Sequence, residues 1–227
     1  MPNPTELPAA AIFDMDGVLI DSNPFHLQKW ADFLRQHRIP FNEAELPEAI
    51  LGQRNDTLIR HFFGPEVTPE ETRRLSEEVE AMFRKAFRPY ARPLPGLDRL
   101  IREIHAAGIP MAVASSAISK NIEFAVDALG YRKYFRHLVS GDEVRQPKPD
   151  PEIYLKAAAK LGVKPEEAVA FEDSFPGIEA VVRAGMKCVA IGSTFPMKEL
   201  RATRAHLAVK SFEELDLARL RGLFKTS

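Results

Sequence analysis

Two carboxylates, Asp14 and Asp16, stand two residues apart just before Gly17, at the end of a short apolar run over residues 9–13. The run reads as a buried strand, and a period of two sends both acids off the same side while Met15 points the other way. Gly17 lets the chain turn away sharply. Neighbouring carboxylates repel and burial penalises both, so the pair needs either a bound cation or exposure in a loop. Taken alone, Asp-x-Asp-Gly leaves both readings open.

Three further polar clusters fall at or just beyond the ends of expected strands: Ser115-Ser116, the segment Gln146-Pro147-Lys148-Pro149-Asp150, and Glu172-Asp173. Each has an ordinary explanation by itself, as capping serines, a surface lysine and solvated loop acids. Those explanations do not predict that all four clusters sit at the same end of a sheet. Together, Asp14, Asp16, Glu172 and Asp173 would crowd four acids into one pocket, which demands a divalent cation. With oxygen donors and no His or Cys nearby, Mg2+ is favoured over zinc. Lys148 and the Ser115 hydroxyl would then grip phosphate oxygens. Asp14, its pKa lowered by metal and lysine, becomes a nucleophile at phosphorus that forms an aspartyl phosphate. Asp16 can protonate the leaving oxygen and later take a proton from the attacking water.

The elements that must position these residues follow from the patterning. From residue 97 onward, strand and helix signals alternate. Strands are expected at 111–114, 137–139, 168–171, 187–191 and 206–209. Helices at 97–107, 120–129, 151–161 and 176–184 end at glycines or just before them. Such alternation implies an α/β fold, a doubly wound parallel sheet with helices on both faces, whose reactive groups gather beyond the carboxyl ends of the strands. Residues 22–96 carry no convincing strand. Asn23-Pro24 reads as a helix start, with Leu27, Trp30, Ala31 and Leu34 on one face. Another helix is expected over residues 58–63. Thr68 and Glu71 form a capping box before a stripe of Leu75, Val79, Met82, Phe83, Ala86 and Phe87. We therefore expect a core of residues 1–21 and 97–227 with a small all-helical domain, 22–96, inserted into it.

With 227 residues, 45% hydrophobic and 28% charged, the chain can bury a full core. A net charge of −1, from 31 basic and 32 acidic residues, provides no field for nucleic acid or anionic lipid. The single cysteine, Cys188, lies in an apolar run and reads as a buried thiol. No segment resembles a leader or a membrane span, so a cytoplasmic protein, monomeric or weakly dimeric, acting on a small molecule is expected. Neither a Gly-x-Gly-x-x-Gly nor a Walker A sequence occurs.

Asp14-Met15-Asp16-Gly17, Ser115, Lys148 and Glu172-Asp173 resemble, in order and spacing, the four motifs of the haloacid dehalogenase-like (HAD) phosphohydrolase superfamily. The resemblance implies a Rossmann-like HAD core with a helical cap, Asp14 as nucleophile and Asp16 as general acid/base. It also implies magnesium held by the Asp14 carboxylate, the Asp16 backbone carbonyl and Asp173, with Glu172 in support, and Ser115 and Lys148 on the phosphoryl group. Within the superfamily the chain is similar to β-phosphoglucomutase and its phosphatase relatives. Asp21-Ser22, His26 and Trp30 resemble the linker and first cap helix of that group. Ser116, Asn121, Gln53 and Arg54 are further candidates for substrate contact, with Asn55 beside them. Two cap lysines of the mutase are replaced, by Leu51 and by a residue near Val79. A mutase must hold a second phosphate while its sugar turns over, and cations do that, so hydrolysis is favoured over intramolecular transfer. The resemblance further implies hinges near residues 20–22 and 93–96, with cap closure excluding water. Dehalogenation would need no magnesium cluster. A phospho-accepting signalling domain would lack both the cap and the second aspartate.

Overall fold

The computed structural model describes residues 7–50 and 55–225, with the side chains at 23, 24, 26, 47 and 48 excepted. In chain order, β1 (Ala10–Phe13) is followed by α1 (Asn23–Gln36), α2 (Leu46–Ile50), α3 (Asn55–Phe63) and α4 (Pro69–Phe87). Then come α5 (Leu97–Ala106), β2 (Met111–Ser115), α6 (Ser119–Ala128), β3 (Phe135–Ser140), α7 (Glu152–Leu161), β4 (Ala168–Glu172) and α8 (Phe175–Arg183). The chain continues through β5 (Lys187–Ile191), α9 (Met197–Leu200), β6 (Leu207–Val209) and α10 (Leu217–Gly222). Two compact units result: one runs to Asp21 and resumes at Ala91, and the other is Ser22–Tyr90.

In the α/β unit the strands lie in the order β3-β2-β1-β4-β5-β6, with every pairing parallel. That is a doubly wound order, with its switch point between β1 and β4. Both faces of the sheet are covered, which explains why the strands read as continuous apolar runs rather than alternating ones. The face toward α7 and α8 is built from small residues: Ala10, Ala112, Ala114, Ala168, Ala170 and Ala190 pack with Ala157, Ala158 and Ala180, so the helices can approach closely. Aromatic rings meet elsewhere in the core, with Phe13 stacked on Phe171 at 4.5 Å and Phe171 against Phe212 at 5.6 Å. Cys188 is fully buried, as expected, and burial pushes its thiol up.

The segment 91–96, expected to lie outside the core, belongs to the α/β unit. Pro93 bridges antiparallel to Ile20, and Leu94 is buried. A proline-rich segment can still offer single extended residues to a neighbouring chain, which is what happens here.

The helical unit has its own apolar core of Trp30, Phe33, Leu34, Leu58, Ile59, Leu75 and Val79. Thr68 caps α4 by accepting from the Glu71 amide at 3.2 Å, while the Glu71 carboxylate lies 3.8 Å from Arg74 instead of completing the box. The N-cap of α1 is Ser22, one residue before the expected start. Helices α2 and α9 were not anticipated, being too short to show a periodic stripe. Nor was a buried ion pair: Lys29 Nζ lies 2.6 Å from Glu80 Oε1 and 5.0 Å from the Phe83 ring centroid. Asn55 Nδ2 donates to the same Glu80 oxygen at 2.7 Å, so this candidate substrate contact is used inside the helical unit. Among the described residues no helix is long and apolar enough to cross a membrane.

Candidate active site

Strand register sets up the site. Phe13 pairs with Phe171 and the Asp14 amide donates to Phe171 O at 3.1 Å, so Asp14 leaves β1 just where Glu172 and Asp173 leave β4. The chain then folds back over its own end. The Met15 carbonyl accepts from the amides of Leu19 (2.8 Å) and Ile20 (3.1 Å), and Gly17 turns with φ +72°. A side chain at Gly17 would run into the Asp173 carboxylate, so glycine is required for space as well as for φ.

Lys148 reaches the cluster from the loop before α7. Its Nζ donates to Asp14 Oδ1 at 2.7 Å, Glu172 Oε1 at 2.6 Å and Tyr154 OH at 3.1 Å. Glu172 is wholly enclosed. Besides Lys148, its Oε1 accepts from Tyr154 OH at 2.8 Å, and Oε2 accepts from the Asp173 and Ser174 amides and from Ser174 Oγ at 2.9–3.0 Å. Ser174 also caps α8, accepting from the Gly177 amide, and the Glu172 carboxylate fills the space a Gly177 side chain would need. With both oxygens committed to protein donors, Glu172 anchors Lys148 and the strand end.

Burial works against every charge here, and the outcomes differ. Lys148 would be pushed down by burial, but Asp14 and Glu172 reverse that and hold it protonated. Burial pushes Glu172 up, yet Lys148 and the hydrogen bonds from Lys148, Ser174 and Tyr154 bring it below the usual carboxylate range. Asp14 goes the other way: burial is the largest influence, and the charges of Glu172, Asp173 and Asp16 join it, so Lys148 does not prevent a rise well above the usual range. Lys148 does lower Asp14, as expected, but without a metal beside it burial and the three acidic neighbours outweigh the one ammonium. Asp173 is pushed up to about 7, chiefly by burial and then by Glu172.

This surplus of negative charge is what a cation would relieve. Asp14, Glu172 and Asp173 each offer a carboxylate oxygen, all within 4.8 Å of one another and all from buried residues. The donor set is oxygen throughout and fits a hard divalent ion. Half-buried Asp16 is near enough for its charge to raise both Asp14 and Asp173, although its carboxylate is not part of that cluster.

Ser115 ends β2, buried, and its Oγ accepts from the Ala117 amide at 3.2 Å. Lys148 Nζ lies 3.5 Å from Ala114 O, one residue away, which ties this strand end to the cluster. Ser116 is exposed just beyond, and Asn121 is buried in the first turn of α6. His26 falls on α1 with its side chain outside the described ones, and Leu51, Gly52, Gln53 and Arg54 lie outside the described residues.

Sequence reasoning missed Tyr154, Ser174 and Thr194. Ser174 before Phe175-Pro176 carried a capping signal. Tyr154 looked like any apolar helix residue, its hydroxyl giving no sign of a buried partner. Thr194, whose Oγ1 donates to Asp173 Oδ2, sits in a loop with no local signature.

An acid raised by folding takes up a proton as the chain folds, so it favours the folded state at low pH and that contribution is lost as pH rises through its folded value. Without metal, the thermal midpoint should therefore fall between about pH 4 and pH 7 because of Asp173, with Asp14 acting in the same direction. The scale is roughly 2–4 °C per kcal/mol for a chain of this size. Saturating Mg2+ should remove most of the fall, and Asp173→Asn should remove the part that Asp173 contributes. Thermal melts in chelator and in Mg2+ check this, and a midpoint equally flat in both would contradict it.

A doubly wound parallel sheet with an acid cluster and one lysine at its switch point defines a Rossmann-like α/β core, and a helical unit is inserted after β1. Residues 11–191 match the family model for haloacid dehalogenase-like hydrolases, and the chain belongs to that family. It is 32% identical over 217 residues to the chloroplastic 5-amino-6-(5-phospho-D-ribitylamino)uracil phosphatase of Arabidopsis thaliana, covering 95% of this chain and 58% of that protein. It is 32% identical over 220 residues to the β-phosphoglucomutase of Bacillus subtilis, covering 92% of each. Among solved structures, a HAD hydrolase of family IA, variant 3, from Entamoeba histolytica superposes with a TM-score of 0.86 at 28% identity, over 96% of this chain and 99% of that one.

Proposed function

We propose that this protein is a magnesium-dependent phosphatase that hydrolyses a small phosphorylated metabolite, a sugar phosphate or similar phosphomonoester, through an aspartyl phosphate on Asp14. The observation that carries the reading is the buried Asp14–Lys148–Glu172–Asp173 cluster at the sheet's switch point, in a chain of this hydrolase family. Asp14, Asp173 and the Asp16 carbonyl would hold the ion, with Glu172 in support. Bound there, Mg2+ would neutralise charge on the phosphoryl oxygens and on the acids that would otherwise repel them.

The remaining steps belong to the chain. An Asp14 carboxylate oxygen attacks phosphorus and displaces the alcohol oxygen, which takes its proton from Asp16. Water then attacks the aspartyl phosphate, giving its proton back to Asp16 and releasing phosphate, so Asp14 is restored. Lys148 and Ser115 bind phosphoryl oxygens. Because the Ser115 oxygen already accepts from Ala117, its own proton is available to donate. Ser116 and Asn121, just beyond the end of β2, are the candidates within the α/β unit for contact with the body of the substrate.

Asp16→Asn is expected to lower kcat by about 10²–10⁴-fold and to remove one limb of the pH–rate profile. An unchanged profile would count against the acid/base role. A screen of phosphorylated sugars and polyols for Mg2+-dependent phosphate release tests the function itself.

The similarity to a β-phosphoglucomutase supports a second reading, intramolecular phosphoryl transfer. Against it, Val79 is fully buried in the apolar stripe of α4, and the neighbouring Glu80 is occupied by Lys29 and Asn55. β-Glucose 1-phosphate with its bisphosphate activator distinguishes the two, since isomer formation faster than phosphate release would favour the mutase.

A further inference from the structure

The loop after β5, residues 192–196, touches the site at several points. Ser193 Oγ donates to Gly17 O at 2.5 Å, and Phe195 packs on Phe175 with centroids 4.3 Å apart. The Gly192 amide donates to Val209 O at 2.8 Å. Between these anchors, Thr194 Oγ1 donates to Asp173 Oδ2. The same pair fills the space over Gly17, where an added Cβ would strike the Asp173 carboxylate and lie 2.9 Å from Thr194 Oγ1. Gly17 leaves the room that the Asp173 carboxylate occupies, and the Thr194 hydroxyl holds one of its oxygens there.

We propose that Thr194 is a positioning residue for the divalent cation, fixing the Asp173 carboxylate in its ligating orientation before the ion arrives. The inference rests on the proposed metal site at Asp14 and Asp173. A carboxylate free to rotate must be ordered when the ion binds, and a partner outside the coordination sphere removes that cost; loss of such partners typically weakens metal binding by about 10–100-fold. The role is separable from folding. Thr194 is exposed at the rim, and Gly192, Ser193 and Phe195 hold the loop without it.

The test is titration of the full chain with Mn2+, reading the free ion by electron paramagnetic resonance, with Mg2+ as competitor. Thr194→Val should bind Mn2+ roughly 10-fold or more weakly with an unchanged metal-free thermal midpoint, while Thr194→Ser keeps the hydroxyl and should bind within about 2–3-fold of the parent. Wild-type affinity in Thr194→Val, where Asp173→Asn binds poorly, would overturn the role of Thr194 and leave the metal site standing. Wild-type affinity in Asp173→Asn would overturn the metal site, and this inference with it. Equal weakening in the Val and Ser variants would mean that shape rather than the hydroxyl matters, and would also overturn the proposal.

Discussion

Asp14→Asn should abolish phosphate release, with kcat falling by more than roughly 10⁴-fold, while the protein stays folded. The amide has no anionic oxygen to attack phosphorus, and no neighbour can take its place. Lys148 is a cation, Glu172 has both oxygens engaged, and Asp173 is held by Thr194. The fold should not suffer, because burial and three acidic neighbours already oppose a charge on Asp14. An uncharged side chain of the same shape relieves that repulsion, and Lys148 keeps Glu172 as partner. The metal-free thermal midpoint should therefore be unchanged or higher. Trapping the phosphoenzyme with acid from the parent, but not from the variant, would locate the covalent step. A variant turning over near the parent rate would refute the assignment.

Lys148→Met should be the most damaging substitution for stability, costing about 3–5 kcal/mol. Lys148 meets two buried acids at 2.6 and 2.7 Å, and its removal strands the Glu172 carboxylate in the interior and pushes Asp14 up further, with no other cation bonded to either among the described residues. Methionine fills the stem's volume, so the loss reports charge rather than a cavity. Glu172→Gln in the Lys148→Met background should recover part of the stability, since the stranded charge is then gone. Denaturant melts of the two single variants and the double variant measure this coupling. Additive effects would show that Lys148 and Glu172 act independently, contrary to their 2.6 Å separation. Activity should be lost in Lys148→Met even where the protein remains folded, because the phosphoryl group loses its main protein cation.

Residues whose meaning lies in local pattern could be read from the chain alone. Asp14, Asp16 and Gly17 after an apolar run, Ser115 at a strand end, Lys148 between prolines, and Glu172-Asp173 before a helix are each short-range signals. The β–α alternation dictates a parallel sheet, and a parallel sheet brings strand ends together, so their convergence followed from period and polarity. The helical insertion was legible for the same reason, being a long stretch with period 3.6 and no period of two.

Tertiary structure decided what depends on partners distant in sequence. It assigned Glu172 to anchoring, through five donors from Lys148, Tyr154, Asp173 and Ser174. It placed Thr194 on Asp173 and paired Lys29 with Glu80 across 51 residues. It also showed burial and three acidic neighbours outweighing Lys148 at Asp14. A pKa depends on the sum of burial and every nearby charge, and that sum is unknown until the chain has closed around it.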